Sequence, residues 1–153
     1  MKSAINDTVE YVKLLAQDLA GCEPNYAVLA IMLDLRIPVN YDGFEYLKAA
    51  VIMQHEEPTL DLVNDIYEAL AKRYGVTTEM VASGIRGAVK TAWNRTEPKK
   101  WCRYLPTIPT GKSGAPSNVE VITGLARIVE LWQGCSEAYM RQRSREVVSC
   151  GME

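Results

Sequence analysis

Between residues 71 and 103 the chain places eight basic side chains: Lys72, Arg73, Arg86, Lys90, Arg95, Lys99, Lys100 and Arg103. Only two acidic ones, Glu79 and Glu97, stand among them. Such a segment suits phosphate contact, because a local patch of cations matters more for polyanion binding than a basic total. The total is in fact slightly acidic, with a formal charge of −2. Residues 1–70 carry 4 basic and 12 acidic side chains, whereas residues 71–153 carry 13 basic and 7 acidic. A solvated charged face is the plainer reading of the same cluster.

Other chemistries find little support. The four cysteines, Cys22, Cys102, Cys135 and Cys150, are far apart, and His55 is the only histidine. A zinc site would need long-range assembly, and no local signature marks a Cys–His catalytic pair. Reduced, mostly buried thiols are expected instead. Asp61 with Asp65, and Glu56 with Glu57, read as a solvated helix face and its acidic entry. No carboxylate pair or nucleophile–base set stands at a meaningful spacing. The Gly111-Lys112-Ser113 triplet lacks the upstream glycine of a phosphate-binding loop, position 106 being proline. Trp93 and Trp132 read as core anchors, and Trp101, in the basic stretch, is the one tryptophan that could stack a base. An enzyme, a cofactor and a metal are therefore not expected.

The basic segment must be held by helices. Ile66–Arg95 reads as two helices joined by a tight turn at Gly75, with the small Ala71 at the crossing. Val81 and Ile85 point back at the first helix, Val76 fills the turn, and Thr77 or Thr78 caps the second helix. That pattern fits a helix-turn-helix, whose second helix enters the major groove of DNA. A packed helical hairpin with a glycine C-cap fits it too.

The remaining chain reads as helix after helix. Ile5, Val9, Val12, Ala16 and Leu19 form one stripe, with Asp7-x-x-Glu10 as a capping box. The stripe suits either packing onto its own domain or a short dimer seam. Tyr26–Leu35 is an apolar helix that must be buried, stopped before Pro38. Asn40 or Asp42 caps a third helix, and Pro58 opens a fourth. Residues 96–116 read as a long proline-rich loop. Ser117-x-x-Glu120 caps a further helix that Gly134 breaks, leaving a short basic helix over 135–148 with Arg141, Arg143 and Arg145. With 153 residues, 48% of them hydrophobic, an all-α bundle of about six to seven helices containing a helix-turn-helix is expected. No apolar run approaches the ~20 residues of a membrane span, and no secretory signal opens the chain, so a cytoplasmic protein is expected.

Three blocks carry a family resemblance. IMLDLRIPVNYDGFEYLKAAV (31–51), IYEALAKRYGVTTEMVASGIRGAVKTAW (66–93) and APSNVEVITGLA (115–126) stand in order. Together they resemble the C-terminal DNA-binding effector domain of the sporulation initiation factor stage 0 protein A response regulators, over roughly residues 25–133. The resemblance implies a DNA-binding regulator and divides the chain into an extra helix at 1–24, the DNA-binding domain at 25–133, and a basic helix and tail at 134–153. About 24 residues precede the shared stretch, fewer than a receiver domain needs, so phosphorylation control of that kind is not expected.

The chain departs from the family where bases are read. The family's Ser-Arg-x-x-Arg pattern at the start of the recognition helix is replaced by Glu79, Met80 and Ser83, so two arginines are lost, a family glutamate is Ala82, and the matching Arg86 remains. Each lost bidentate arginine–guanine contact removes roughly 1–3 kcal/mol of discrimination, so the family's usual box should not be recognised. On this reading Thr77, Thr78, Glu79, Met80, Ala82, Ser83 and Arg86 face the bases of double-stranded DNA. Lys90, Arg95, Lys99 and Lys100 contact phosphates. Gly84 and Gly87 together cost about 2 kcal/mol of helix stability, which calls for a close approach by a phosphate chain or a neighbouring helix. The alternative is a retained scaffold whose 78–93 helix docks a protein partner. A homodimer is a further expectation.

Overall fold

The computed structural model describes residues 4–106 and 114–151. Among these the chain forms helices only: α1 (Ala4–Asp18), α2 (Pro24–Asp34), α3 (Asp42–Glu56), α4 (Glu68–Tyr74), α5 (Thr78–Arg95), α6 (Pro98–Tyr104) and α7 (Asn118–Gly151). A π-helical turn, Leu62–Tyr67, runs straight into α4. One core joins them, with Met32, Leu47, Ile66, Ile85, Trp101, Ile122 and Trp132 fully enclosed. The central helix α3 packs against α2, α4, α5 and α7, while α1 lies along α7 and α6. No helix among the described residues is long and apolar enough to cross a membrane.

The stripe of α1 is spent on its own domain. Val12 and Ala16 are buried, and Val9 and Leu19 are partly so. Ile5 lies outside the described side chains. α2 is apolar on all sides yet buried on one. Ala27, Val28, Ile31 and Met32 go inward, while Tyr26 and Leu33 stay exposed. It ends at Asp34, and Arg36 just beyond takes a left-handed φ of 60°, so that the Ile37 amide can reach back to the Met32 carbonyl.

Several local expectations are corrected. α1 begins at Ala4, so Asp7 sits inside its first turn rather than capping it. The N-cap of α3 is Tyr41, without a side-chain bond. Pro58 lies ahead of the π-helical turn that leads into α4, and Asp61 caps that turn by accepting from the Asn64 amide at 2.8 Å. The expected loop over 96–116 contains α6, because Pro98 occupies its first turn, where a missing N–H costs nothing. Trp101 on α6 is wholly buried and is therefore core, not a stacking platform. The Gly111-Lys112-Ser113 triplet lies outside the described residues. Cys22 is exposed, and Cys102 and Cys135 are half-buried, so the thiols are less enclosed than expected.

Gly134 does not break the last helix. α7 runs unbroken through it for 34 residues. A Cβ there would meet nothing within 4 Å. Gly134→Ala should therefore stabilise the protein by about 0.5–1 kcal/mol. A rise in urea midpoint at unchanged m-value would show this, and a fall would contradict the open geometry.

Candidate nucleic-acid interface

α4 ends at Gly75, with φ 66° and ψ 38°, the left-handed conformation expected of this turn. The Val76 amide closes back on the Ala71 carbonyl at 3.0 Å. Three residues, Gly75-Val76-Thr77, separate the two helices. Thr77 caps α5 by accepting from the Met80 amide at 3.1 Å, so its hydroxyl serves the helix first. Thr77→Ala should cost about 1 kcal/mol of stability. An unchanged denaturation midpoint would show that the cap is idle.

α5 buries Val81, Ile85, Ala88, Val89 and Ala92 and presents its other side to solvent. Glu79, Met80, Ser83, Arg86, Gly87 and Lys90 are exposed there. Ser83 leans on the Met80 carbonyl at 3.5 Å. One row along the helix, Thr78, Ala82, Arg86 and Lys90, lines a cleft of about 700 Å³. Glu79 stands at the same cleft. Its far wall is Leu62, Val63 and Tyr67 from the π-turn, with Gly114–Val119 leading into α7.

The far wall escaped the sequence reading as part of a site, although its capping box was legible. Ser117 Oγ accepts from the Glu120 amide at 3.2 Å, and the Glu120 carboxylate accepts from the Ser117 amide at 3.2 Å. Asn118 fixes this wall to α5 by donating to the Ala82 carbonyl at 2.9 Å and to the Tyr67 hydroxyl at 3.0 Å. The first residues of α7 thereby line the same cleft as Arg86 and Lys90.

The two glycines of α5 have separate explanations. A Cβ on Gly43 of α3 would sit 2.0 Å from the Gly84 carbonyl oxygen, so the α3 and α5 backbones touch at this pair. Gly84 answers to a neighbouring helix. Gly87 has nothing within 4 Å of a built Cβ and lies open on the outer face.

The expected phosphate contacts divide. Lys90 stands with Arg86 at the cleft, and Arg95 is exposed at the end of α5, its carbonyl accepting from Arg36 at 3.3 Å. Lys99 and Lys100 belong to another surface. Lys99 lines a separate groove between α1 and α6. Lys100 is paired with Asp34 at 3.0 Å. Asp34 also accepts from the Tyr104 hydroxyl and lies 3.7 Å from Arg103. Burial pushes the Asp34 carboxyl up, but the hydrogen bonds from Tyr104 and Lys100, with the charges of Lys100 and Arg103, outweigh it and hold the group below the ordinary 3.8. Burial, then the bond to Asp34, pushes the Tyr104 hydroxyl up.

A carboxyl depressed in the folded state adds stability above its unfolded value and loses it as pH falls through the folded one. The stability gap between the native chain and Asp34→Asn should therefore close as pH drops below 3.8. A gap independent of pH would remove the ionic part of this account.

The family model described as Sporulation initiation factor Spo0A C terminal matches residues 28–129, more than half of the chain. The match spans α3, α4, α5, α6 and the cleft walls, and leaves α1 and the last two dozen residues outside it. With this helical architecture and this match, the chain belongs to that family, the DNA-binding effector domain of a sporulation transcription regulator.

Proposed function

We propose that this chain is a sequence-specific transcription regulator whose α5 reads the major groove of double-stranded DNA with a side-chain set of its own. The observation that carries this reading is the row Thr78–Ala82–Arg86–Lys90, which faces one open cleft beside the α7 N-terminus. Arg86 can reach a guanine edge, and Lys90 a phosphate. Ser83 and Glu79 on the adjoining row can hydrogen-bond bases, Met80 can meet a thymine methyl, and Gly87 lets the helix sit close. The α4–Gly75–α5 arrangement serves as the helix-turn-helix. Residues 25–133 form the DNA-binding unit on this reading, with 1–24 and 134–153 as additions.

A second reading rests on apolar exposure. Val63 is 59% exposed, Met80 52% and Val119 55%, all near α5. Such a rim suits a protein partner that docks on the 78–93 helix. The two readings separate by salt. Phosphate binding weakens steeply as counterions compete, and apolar docking does not. A salt-titrated mobility shift on random duplex, with sequencing of the bound fraction, tests the proposal. Enrichment of a motif with a steep salt slope supports it, and absence of binding at low salt rejects it.

A further inference from the structure

α5 is held from two sides at the turn that leads to Arg86. On one side the Gly84 backbone rests on Gly43 of α3. Two residues earlier, across the helix, the Ala82 carbonyl accepts from Asn118 Nδ2 at 2.9 Å. In the α-helical pattern the Arg86 amide closes on that same carbonyl. The Asn118 bond therefore grips the α5 backbone one turn from the Arg86 side chain.

The second hydrogen of Nδ2 goes to the Tyr67 hydroxyl at 3.0 Å. Tyr67 is buried and ends the π-helical turn. There the Ile66 amide reaches the Asp61 carbonyl, five residues back, at 3.1 Å. Such bonding brings residues five apart to one face, so Leu62 and Tyr67 share the cleft wall. The π-helical turn thus delivers the hydroxyl that fixes Asn118 in place.

Asparagine is a demanding residue here. Asn118 is 9% exposed, and its Oδ1 is sealed from solvent with no partner among the described residues. Turning the amide over would set that oxygen against the Ala82 carbonyl, so the orientation is forced. An apolar side chain would fill the place without an orphaned oxygen. What it would not supply is a directional bond to α5. The buried face of α5, with Val81, Ile85, Ala88 and Val89, seats the helix by contacts that have no preferred direction. A base-reading side chain must be held more closely, within about 0.5 Å and 10–20°.

We propose that Asn118 and Tyr67 are positioning residues for base reading, fixing the roll of α5 so that Arg86 meets its base at one angle. The inference rests on the reading in which α5 enters the major groove. Asn118 acts through the Ala82 carbonyl and needs no contact with DNA.

The experiment is a mobility shift with the full chain and the duplex selected from the random pool. Arg86→Ala first identifies the base pair whose substitution that chain no longer senses. Discrimination is then the affinity ratio between the selected duplex and one changed at that pair. Asn118→Leu should lower this ratio about tenfold at an unchanged salt slope, because the phosphate contacts stay. Tyr67→Phe keeps the ring and should lower the ratio about threefold. In an Arg86→Ala background, neither substitution should cost further affinity for the selected duplex, which is the sign of action through Arg86. Circular dichroism checks each fold, and Tyr67→Phe carries the test alone if Asn118→Leu does not fold. Native discrimination in the folded variants would overturn the inference and leave base reading by α5 intact. Losses that add fully to that of Arg86→Ala would overturn it too, since the pair would then act elsewhere. If Arg86→Ala itself leaves discrimination unchanged at every position, the base reading falls and this inference falls with it.

Discussion

A Gly43→Ala chain is expected to lose about 3 kcal/mol of stability, because the added methyl group meets backbone rather than a movable side chain. The added Cβ would stand 2.0 Å from the Gly84 oxygen, 2.5 Å from its carbonyl carbon and 3.1 Å from the Ile85 nitrogen. All three are backbone atoms of α5, so no side-chain rotation relieves the clash. α3 and α5 must separate, and the buried Phe44, Leu47, Val81 and Ile85 around the contact lose their packing. The gain in helix propensity from replacing glycine, about 1 kcal/mol, is too small to compensate.

Gly84→Ala should be milder. Its Cβ would meet the edge of the Tyr46 ring at 3.2 Å, and a ring can tilt. Thermal unfolding checks both. For a chain of this size the melting point should fall by roughly 6–12 °C for Gly43→Ala, and by clearly less for Gly84→Ala. Equal shifts, or none at Gly43, would show that the helices do not meet here.

The second large effect is expected on DNA. Arg86 and Lys90 are exposed, and neither forms an ion pair among the described residues. Removing them should change stability by no more than about 0.5 kcal/mol. Arg86→Ala should cost about 1–3 kcal/mol of affinity for the selected site and relax base preference at one position. Lys90→Ala should weaken all duplexes alike and lower the salt slope by about 1. Titration of selected and scrambled duplexes over a range of salt separates the two roles. If both variants keep full affinity with the native slope, α5 is not the DNA-reading element and the protein-docking reading gains.

Features set by near neighbours were legible in the sequence. The Gly75 turn, the Thr77 cap and the Ser117–Glu120 box each depend on residues within five positions of one another. Helical periodicity likewise located α5, because its buried residues recur at three and four. The misreadings came from residues whose meaning depends on context. Pro98 breaks a helix interior but opens a first turn. Gly134 weakens a helix, yet the flanking turns are well enough anchored by Val129, Trp132 and Ser136 to carry it through.

Tertiary proximity was harder still. Gly43 and Gly84 are 41 positions apart, and only the fold shows that one exists for the other. The same is true of the cleft. Its α5 wall could be listed from the sequence, whereas the Leu62–Tyr67 wall could not. Lys99 and Lys100 looked equivalent to Lys90 as charges, and Asp34, distant in sequence, takes Lys100 out of that set.

The tryptophans give the protein a built-in optical probe. Trp101 and Trp132 are sealed in the core, while Trp93 is half-buried, two turns beyond Arg86 on the same side of α5. The Trp93 and Trp101 rings lie 5.6 Å apart and inclined by 58°, close enough for their excited states to couple. Light absorbed by either indole is therefore shared with one that sits on α5. Emission colour and near-ultraviolet dichroism will respond to what happens along that helix, and α5 can be followed in solution without attaching a dye.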